Sequence, residues 1–352
     1  MIADIRLRNF RSYQDELFEL SPRVNIVVGP NASGKTNLLE ALLVVSRGSS
    51  YRSKDKELIK HHKPWLNLQA HTTSNENRIV KIEIKEDKTD KQFVINKLSL
   101  KRLNLQKTIP TVLFEPNHLR LLNGGPEKRR EFLDELLEQI RPGFSSLRRQ
   151  YRRALSQRNA LLKTAHKTEQ MFVWNVRLSE LGEQISLARS GLIQAMSEQA
   201  PELYNSLARA KEHIAFDYRP TVALENYATA LLHKLEKNIT LDKERGFTSS
   251  GPHREDFKIH IDNHDVQGAA SRGEIRTLLL VCKILEARLI EQARDTRPIL
   301  LLDDVFSELD GGRRQALTNF LQPYQTFITT TDADVVVQHF TEKANIIPTS
   351  SS

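Results

Sequence analysis

The stretch VNIVVGPNASGKTN, residues 24–37, decides the fold. Its first five residues are a short apolar run, which is typical of a buried parallel β-strand. Two glycines five positions apart, followed by a lysine and a threonine, then match the pattern of a phosphate-binding loop. The glycines let the backbone curl so that its N–H groups point inward at a helix N-terminus and attract an anion. The stretch therefore predicts a strand, a nucleotide-binding loop and a helix, in that order.

Each part of this loop has a chemical task if the nucleotide is ATP. Lys35 is predicted to reach the β- and γ-phosphates, and Thr36 to offer its hydroxyl to Mg²⁺. The rest of the loop and the residue after it complete the predicted ATP contacts. These residues are Gly29, Pro30, Asn31, Ala32, Ser33, Gly34, Lys35, Thr36 and Asn37.

A second buried strand, ILLLDD at residues 299–304, ends in two acids. Asp303 is expected to hold Mg²⁺, commonly through water, and Asp304 to orient or deprotonate the attacking water. Acids often end strands, so this motif gains its weight from pairing with the phosphate-binding loop. The predicted catalytic residues are Asp304, Asp303 and Lys35, and the predicted Mg²⁺ ligands are Thr36 and Asp303.

The remaining periodicities predict an α/β fold with a mixed sheet that is split by a helical insertion. The N-terminus reads as a first strand, residues 66–100 as an antiparallel hairpin, and FITTT at residues 327–331 as the last strand. Between Pro142 and Pro201, two long helical patterns with a break near residues 166–170 predict two antiparallel helices. The predicted head comprises residues 1–125 and 206–352, and the predicted helical lobe comprises residues 126–205.

The net charge of the 352-residue chain is +8, and its excess is regional. Residues 101–167 contain 15 Lys and Arg against 6 Asp and Glu, a balance of +9. Such a field suits a polyanion such as nucleic acid, although a solvated helical face is the ordinary alternative. Contacts to DNA phosphates are expected from Arg148, Arg149, Arg152 and Arg153.

The cysteine content and the hydropathy of the sequence indicate its cellular compartment. The single cysteine, Cys282, has no partner for an internal disulfide, and no uncharged apolar run approaches the roughly 18 residues of a membrane span. We therefore expect a soluble cytoplasmic protein without a membrane partner.

Two further motifs, SRGEIRT at residues 271–277 and SELD at residues 307–310, suggest a site shared between two copies. Ser271 is a good helix cap, and it is also placed to meet a γ-phosphate held by another copy. With RNFRSY, GGPEKRREFLD and SSGPHREDF, the whole chain resembles the ABC-type ATPase heads of the SMC-like class. Within that class it resembles the RecF family of bacterial recombination mediators.

The resemblance implies an ABC-type head that hydrolyses ATP slowly and forms an ATP-dependent homodimer. It places Arg11 near the nucleotide, and Ser271, Gly273 and Asp310 opposite the nucleotide of the other copy. It further implies binding to duplex, gapped or single-stranded DNA and to single-strand–duplex junctions. The implied partners are RecO, RecR and RecA, in DNA repair, replication restart and SOS induction.

The alternative is the ATPase subunit of an ABC transporter. The 267 positions between Thr36 and Asp303 exceed what a compact transporter head needs, which disfavours it. We do not expect a nuclease with a further acidic catalytic domain, because only 48 residues follow Asp304.

Overall fold

The computed structural model describes residues 1–86, 88–164, 168–208, 211–306, 309–332, 336, 338, 340 and 344–349. They form two compact units, one of Met1–His118 with Glu286–Ser352 and one of Leu119–Leu285. The predicted helical lobe, residues 126–205, lies inside the second unit, which also takes in residues on both sides of it.

The elements are numbered in chain order. The strands are β1 (Ile2–Phe10), β2 (Tyr13–Glu19), β3 (Val24–Val28), β4 (Trp65–Thr72), β5 (Asn77–Lys85), β6 (Lys88–Ile95), β7 (Leu98–Leu100), β8 (Thr111–Phe114), β9 (Ile214–Arg219), β10 (Asp256–Ile261), β11 (His264–Asp265), β12 (Ile299–Asp303), β13 (Thr326–Thr330) and β14 (Asn345–Pro348). The helices are α1 (Lys35–Arg47), α2 (Asp55–Leu58), α3 (Arg120–Asn123), α4 (Pro126–Ile140), α5 (Phe144–Leu162), α6 (Thr168–Ala208), α7 (Tyr227–Lys237), α8 (Ile239–Arg245), α9 (Val266–Ala269), α10 (Arg272–Arg294) and α11 (Gly311–Leu321).

The first unit contains an antiparallel sheet with the order β2-β1-β4-β5-β6-β7. Its central strands β4 and β5 largely alternate buried and half-buried side chains, because only one face packs on the core. The hairpin predicted for residues 66–100 is confirmed, since β5 and β6 pair antiparallel up to Lys85 and Lys88. Asp87, which comes between β5 and β6 in the sequence, lies outside the described residues.

A parallel sheet of the same unit has the order β14-β3-β13-β12-β8. Its central strands are continuous buried runs, as the sequence predicts for β3 and β12. The predicted mixed sheet is thus realised as two sheets, one antiparallel and one parallel. The prediction that residues 327–331 form the last strand is wrong, because β14 follows and pairs with β3.

Helix α1 fills the space between these sheets with its apolar side. The residues of this core are fully or almost fully buried, and they include Leu38, Leu39, Leu42 and Val45 of α1 with Ile5, Leu7, Leu68, Leu301 and Phe327 of the strands. Burial of this apolar area fixes the helix, and hence the loop before it, against the strand edges.

In the second unit, α5 and α6 run antiparallel, as predicted. Arg158 bonds to Asn175 and Gln150 bonds to Arg177, so residue numbers rise on one helix as they fall on the other. Residues 165–167, in the predicted break, lie outside the described residues. The prediction that Pro201 ends the second helix is wrong: α6 continues to Ala208. Burial of the following Leu203 and Tyr204 offsets the bond that proline cannot donate.

The second unit also contains a three-stranded sheet with the antiparallel order β11-β10-β9. Across the described helices of the chain, none combines the length and the apolarity needed to cross a membrane.

Candidate nucleotide-binding site

The loop between β3 and α1 depends on its glycines. Gly34 has φ 96°, in the left-handed region that favours glycine. A Cβ on Gly29 would lie 2.4 Å from the backbone oxygen of Thr349, which follows β14. Lys35 Nζ donates to the carbonyl oxygens of Gly29 (2.7 Å) and Pro30 (2.8 Å), so its ammonium group lies across the loop. The first turn of α1 has N–H groups without intrahelical acceptors, which is the arrangement that binds phosphate.

The predicted Mg²⁺ ligands lie together. Thr36 Oγ1 donates to Asp303 Oδ1 at 3.0 Å, although 267 positions separate the two residues. Asp303 ends β12 and Thr36 lies in the first turn of α1, so both lie at the carboxyl edge of the parallel sheet. A hydroxyl and a carboxylate in contact beside a lysine are a donor set that fits Mg²⁺ and a nucleotide phosphate.

Thr329 is a site residue that sequence reasoning missed. Strand β13 lies between β3 and β12, so its end meets both the loop and the acids. Thr329 Oγ1 donates to Asp303 Oδ1 (2.7 Å) and accepts from the Asp304 N–H (2.9 Å). Asp304 has φ 52°, in the left-handed region that few residues other than glycine, asparagine and aspartate adopt. The same threonine thus positions both predicted catalytic acids.

Arg11, which is predicted to contact the nucleotide, forms several hydrogen bonds within the protein. Its guanidinium donates to both carboxylate oxygens of Glu40, each at 2.9 Å, and to the backbone oxygen of Glu57. Glu40, on α1, also accepts from Arg52 Nη2 (2.9 Å) and from Ser50 Oγ (2.6 Å). Arg11 therefore fixes α1 behind the loop, and its contact with ATP stays a prediction.

The Glu40 carboxylate remains ionised in this cluster. Its side chain is fully buried, which by itself would raise its pKa. The hydrogen bonds from Arg11, Arg52 and Ser50 outweigh burial and hold the pKa of Glu40 below its usual value. Arg52 also donates to Asn37 Oδ1 at 2.9 Å, which links the cluster to a predicted ATP contact.

Tyr51 lies between Ser50 and Arg52, and it too was not predicted from the sequence to be a site residue. Burial, together with the nearby carboxylates of Asp303 and Glu115, raises the pKa of Tyr51 well above its usual value. The guanidinium of Arg52 lies 5.7 Å from the centre of the Tyr51 ring. No motif marked residues 50–53, because their relation to the acids arises only from folding.

The remaining residues of the loop occupy two environments. Pro30, Asn31 and Ala32 are exposed, whereas Ser33 is buried and its hydroxyl contacts Thr349 Oγ1 at 2.7 Å. Beside Ser33, a cavity of about 230 Å³ is lined by Ser12, Tyr13, Lys60 and Thr349, among others. Tyr13 donates from its hydroxyl to the Gly34 carbonyl at 3.0 Å, so the wall of this cavity is tied to the loop.

The residues predicted to act on the other copy's nucleotide begin two helices. Ser271 Oγ accepts from the Glu274 N–H, and the Glu274 carboxylate accepts from the Ser271 N–H, a reciprocal cap on α10. Asp310 caps α11 by accepting from the Arg313 N–H at 2.9 Å. Ser271 and Asp310 are exposed and Gly273 is half-buried. Ser307 and Glu308 of the SELD motif lie outside the described residues.

The four arginines predicted to contact DNA are not equivalent. Arg149, Arg152 and Arg153 are exposed on α5. Arg148 is half-buried and forms ion pairs with Asp134 (3.1 Å) and Glu138 (2.6 Å). The exposed three are free to meet a phosphate backbone, whereas the Arg148 guanidinium already has two carboxylate partners.

Comparison with known proteins agrees with this geometry. Residues 1–349 match the family described as the RecF/RecN/SMC N terminal domain. The DNA replication and repair protein RecF of Acetivibrio thermocellus is 35% identical, over 95% of this chain and 94% of its own. The chain belongs to the RecF family. The RecF protein of Clostridium novyi is also 35% identical, over 94% of this chain and 92% of its own.

Solved structures of RecF and of its distant relatives have the same fold. The recombination mediator protein RecF of the RecFOR pathway, in the structure designated RecF-ATPrS, is 30% identical with a TM-score of 0.87, covering 96% of this chain and 94% of that one. The structure designated RecF-ATP gives a TM-score of 0.84 at 30% identity, covering 94% and 92%. An Smc head domain from Pyrococcus furiosus, 15% identical over 100% and 94% of the chains, has a TM-score of 0.54. The predicted ABC-type ATPase head with a helical insertion is confirmed.

Proposed function

We propose that this chain is a DNA replication and repair ATPase whose ATP-bound form pairs with a second copy and binds DNA. The observation that carries the proposal is the contact of Thr36 Oγ1 with Asp303 Oδ1, beside Lys35, in a member of the RecF family. Two motifs 267 positions apart thus meet at the edge of one parallel sheet.

The side chains at this edge of the parallel sheet have separate roles. Lys35 neutralises phosphate charge, while Thr36 and Asp303 would hold Mg²⁺, which polarises the terminal phosphate when bound. Asp304 orients the attacking water. Thr329 holds the Asp303 carboxylate and the Asp304 backbone in position through its two hydrogen bonds. We expect slow hydrolysis, in which ATP serves chiefly as a switch between one copy and two.

Dimerisation follows from the exposure of the two helix starts. Ser271 and Asp310 are exposed, and each lies at the N-terminus of a helix, where backbone N–H groups favour an anion. A γ-phosphate held by Lys35 of one copy would therefore be completed by Ser271, Gly273 and Asp310 of the other.

The DNA and protein partners rest on the family. Relatives named DNA replication and repair protein RecF and a recombination mediator of the RecFOR pathway support DNA, RecO and RecR as partners. We extend this to gapped and junction DNA, to support of RecA loading during replication restart and SOS induction, and to a cytoplasmic location.

The first prediction separates ATP binding from pairing. Lys35→Ala is expected to lose ATP binding and ATP-dependent dimerisation, because no other loop side chain can neutralise the phosphates. Ser271→Ala should bind ATP but dimerise poorly. Calorimetric titration with ATP and sedimentation velocity with and without ATP measure the two properties.

Ser145→Ala is the matched control, since Ser145 is an exposed serine in the first turn of α5. It should behave like the wild type in both assays. A Ser271→Ala protein that dimerises normally with ATP would contradict the shared site, whereas retention of ATP binding by Lys35→Ala would contradict the nucleotide site itself.

A further inference from the structure

A second concave site lies wholly within the unit Leu119–Leu285. It is a cleft of about 500 Å³ among α4, α5, α6 and the residues that follow Gly251. Pockets that bind small ligands are commonly about 300–1,000 Å³. The cleft is therefore large enough for a molecule of nucleotide size.

Two of the arginines in this cleft are already neutralised. Arg189 is buried and donates to both carboxylate oxygens of Asp134, each at 2.9 Å, and to the Pro252 carbonyl. Arg148 shares Asp134 and also pairs with Glu138. These contacts build a rigid wall, because each guanidinium is fixed by at least two partners.

Two other arginines retain their charge for a ligand. Half-buried Arg130 donates to a backbone oxygen, that of Glu255, at 2.7 Å. Exposed Arg152 has no hydrogen bond or ion pair from its side chain among the residues that the structure describes. Burial, helped by the neighbouring charge of Arg189 and opposed by the carboxylates of Asp256 and Glu127, lowers the pKa of Arg130.

His253 and Tyr151 form a neutral, apolar side of the cleft. Burial, helped by the charges of Arg254 and Arg130, lowers the pKa of His253 to about 4, so its ring is uncharged near neutral pH. His253 Nε2 then donates to the Thr248 carbonyl (3.0 Å), and Nδ1 accepts from the Tyr151 hydroxyl (2.8 Å). With its hydroxyl engaged, Tyr151 adds its ring to Leu155 and Ile185 as an apolar wall.

We propose that this cleft binds a nucleotide, with its phosphate on Arg130 and Arg152 and its base against Tyr151, Leu155 and Ile185. Guanidinium groups match the oxygens of a phosphate in geometry and charge, and flat apolar walls suit a base. The nucleotide is either free or an unpaired unit of a nucleic acid strand. The site is separate from the ATP loop and does not rest on the proposed function.

The test uses the full-length protein with Lys35→Ala, so that the ATP loop does not contribute. Binding of radiolabelled dAMP is measured by equilibrium dialysis, and binding of an oligothymidylate of about ten nucleotides by fluorescence anisotropy. Arg152→Glu, added to this background, should weaken binding at least about tenfold. Arg245→Glu, the same charge change on an exposed arginine of α8 outside the cleft lining, should weaken it less than about twofold.

The two probes distinguish a site for free nucleotides from a site for a nucleic acid strand. Saturable binding of dAMP that is lost with Arg152→Glu supports a site for free nucleotides, and loss of oligothymidylate binding alone supports a site for a strand. Absence of binding to both probes overturns the proposal. Equal effects of Arg152→Glu and Arg245→Glu also overturn it, because they would indicate a diffuse positive field instead of a cleft. Circular dichroism confirms that each variant is folded.

Discussion

At the residue scale, the candidate site depends on side chains for which the motifs predict no contact with the nucleotide. Thr329 contacts Asp303 and the backbone N–H of Asp304, and it is fully buried. Glu40 receives two guanidinium groups behind the loop. Both residues act by fixing the positions of groups that would touch the nucleotide, and their effects are measurable separately.

Thr329→Val should slow ATP hydrolysis. Valine keeps the shape of threonine but removes both hydrogen bonds, so the acids lose their common support. We expect kcat to fall about 10- to 100-fold, as for other outer-shell supports of ligating carboxylates, with a smaller change in KM for ATP. Steady-state ATPase assays measure both constants.

Thr326→Val is the control for this change, because Thr326 is equally buried on the same strand. Among the described residues, its hydroxyl bonds only to the nearby Tyr324 carbonyl. It should leave kcat within about twofold of the wild type. If the two variants lose activity equally, Thr329 supports the strand and not the acids.

Glu40→Gln should destabilise the first unit by about 2 kcal/mol, because charged hydrogen bonds to Arg11 and Arg52 are replaced by weaker ones. Since the pKa of Glu40 is lower when folded, its stabilisation is complete above the usual glutamate pKa and is lost as pH falls through the folded value. The difference in urea midpoint between the variant and the wild type should therefore shrink below about pH 4.

The exposed Glu57→Gln serves as the comparison, with an expected change within about 0.5 kcal/mol. A Glu40→Gln effect that is constant from pH 7 to pH 3, at about 2 kcal/mol, would show that the interaction removed is packing and not charge.

At the element scale, the sequence was most informative where one continuous segment carries its own pattern. The loop after β3, the acidic end of β12 and the alternation of β5 and β6 could all be predicted from neighbouring residues. The short strand β14 could not, since its stability comes from pairing with β3, more than 300 positions away. Helix α6 likewise passes Pro201 because of tertiary packing.

The same limit applies to the candidate site. Thr36 and Asp303 could be paired from known motif logic, whereas Thr329 could not, because strand order within a parallel sheet is not written in local sequence. Arg11 was selected by resemblance, but its partner Glu40 lies in the helix after the loop, and no role was predicted for it.

Arg158 joins the helices of the second unit. It is fully buried and donates to Asn175 of α6, Asp242 of α8, Thr248 and the Leu235 carbonyl of α7. Arg158→Leu leaves Asp242 buried without a cation, so we expect a loss of about 3–5 kcal/mol in the free energy of unfolding. Urea unfolding followed by circular dichroism measures it.

The exposed Arg149→Leu, on the same helix, should change the free energy of unfolding by less than about 0.5 kcal/mol. Adding Asp242→Leu to Arg158→Leu should recover part of the loss, because no uncompensated charge then remains buried. A double variant as unstable as the sum of the two single ones would contradict this account.

At the scale of the whole molecule, the positive charge is regional, and this makes DNA binding testable by salt. Replacing Arg149, Arg152 and Arg153 by alanine should weaken DNA binding similarly for all sequences. It should also reduce the slope of log affinity against log salt by up to about 0.9 for each DNA phosphate that the variant no longer neutralises. Fluorescence anisotropy over a salt series gives the slope.

Lys85, Lys88 and Lys97 provide the matched control, since they are exposed and their replacement by alanine removes the same charge. That triple variant should keep the wild-type slope. If both triple variants change the slope equally, the contribution of α5 is only its share of the net charge.

Among the strands that the structure describes, β3 has only two neighbours, β13 and β14, and both come from the last 27 residues of the chain that begin at Thr326. During synthesis, a strand made near the start must therefore wait for roughly 300 further residues, about 15–60 s at 5–20 residues per second. Until then the phosphate-binding loop can be supported by α1 and the antiparallel sheet, but not by the neighbours of its own strand. A chain cut before Thr326 would contain the residues of α1 to α11 but lack both neighbours of β3, so its ATP binding measures how far the nucleotide site depends on β13 and β14.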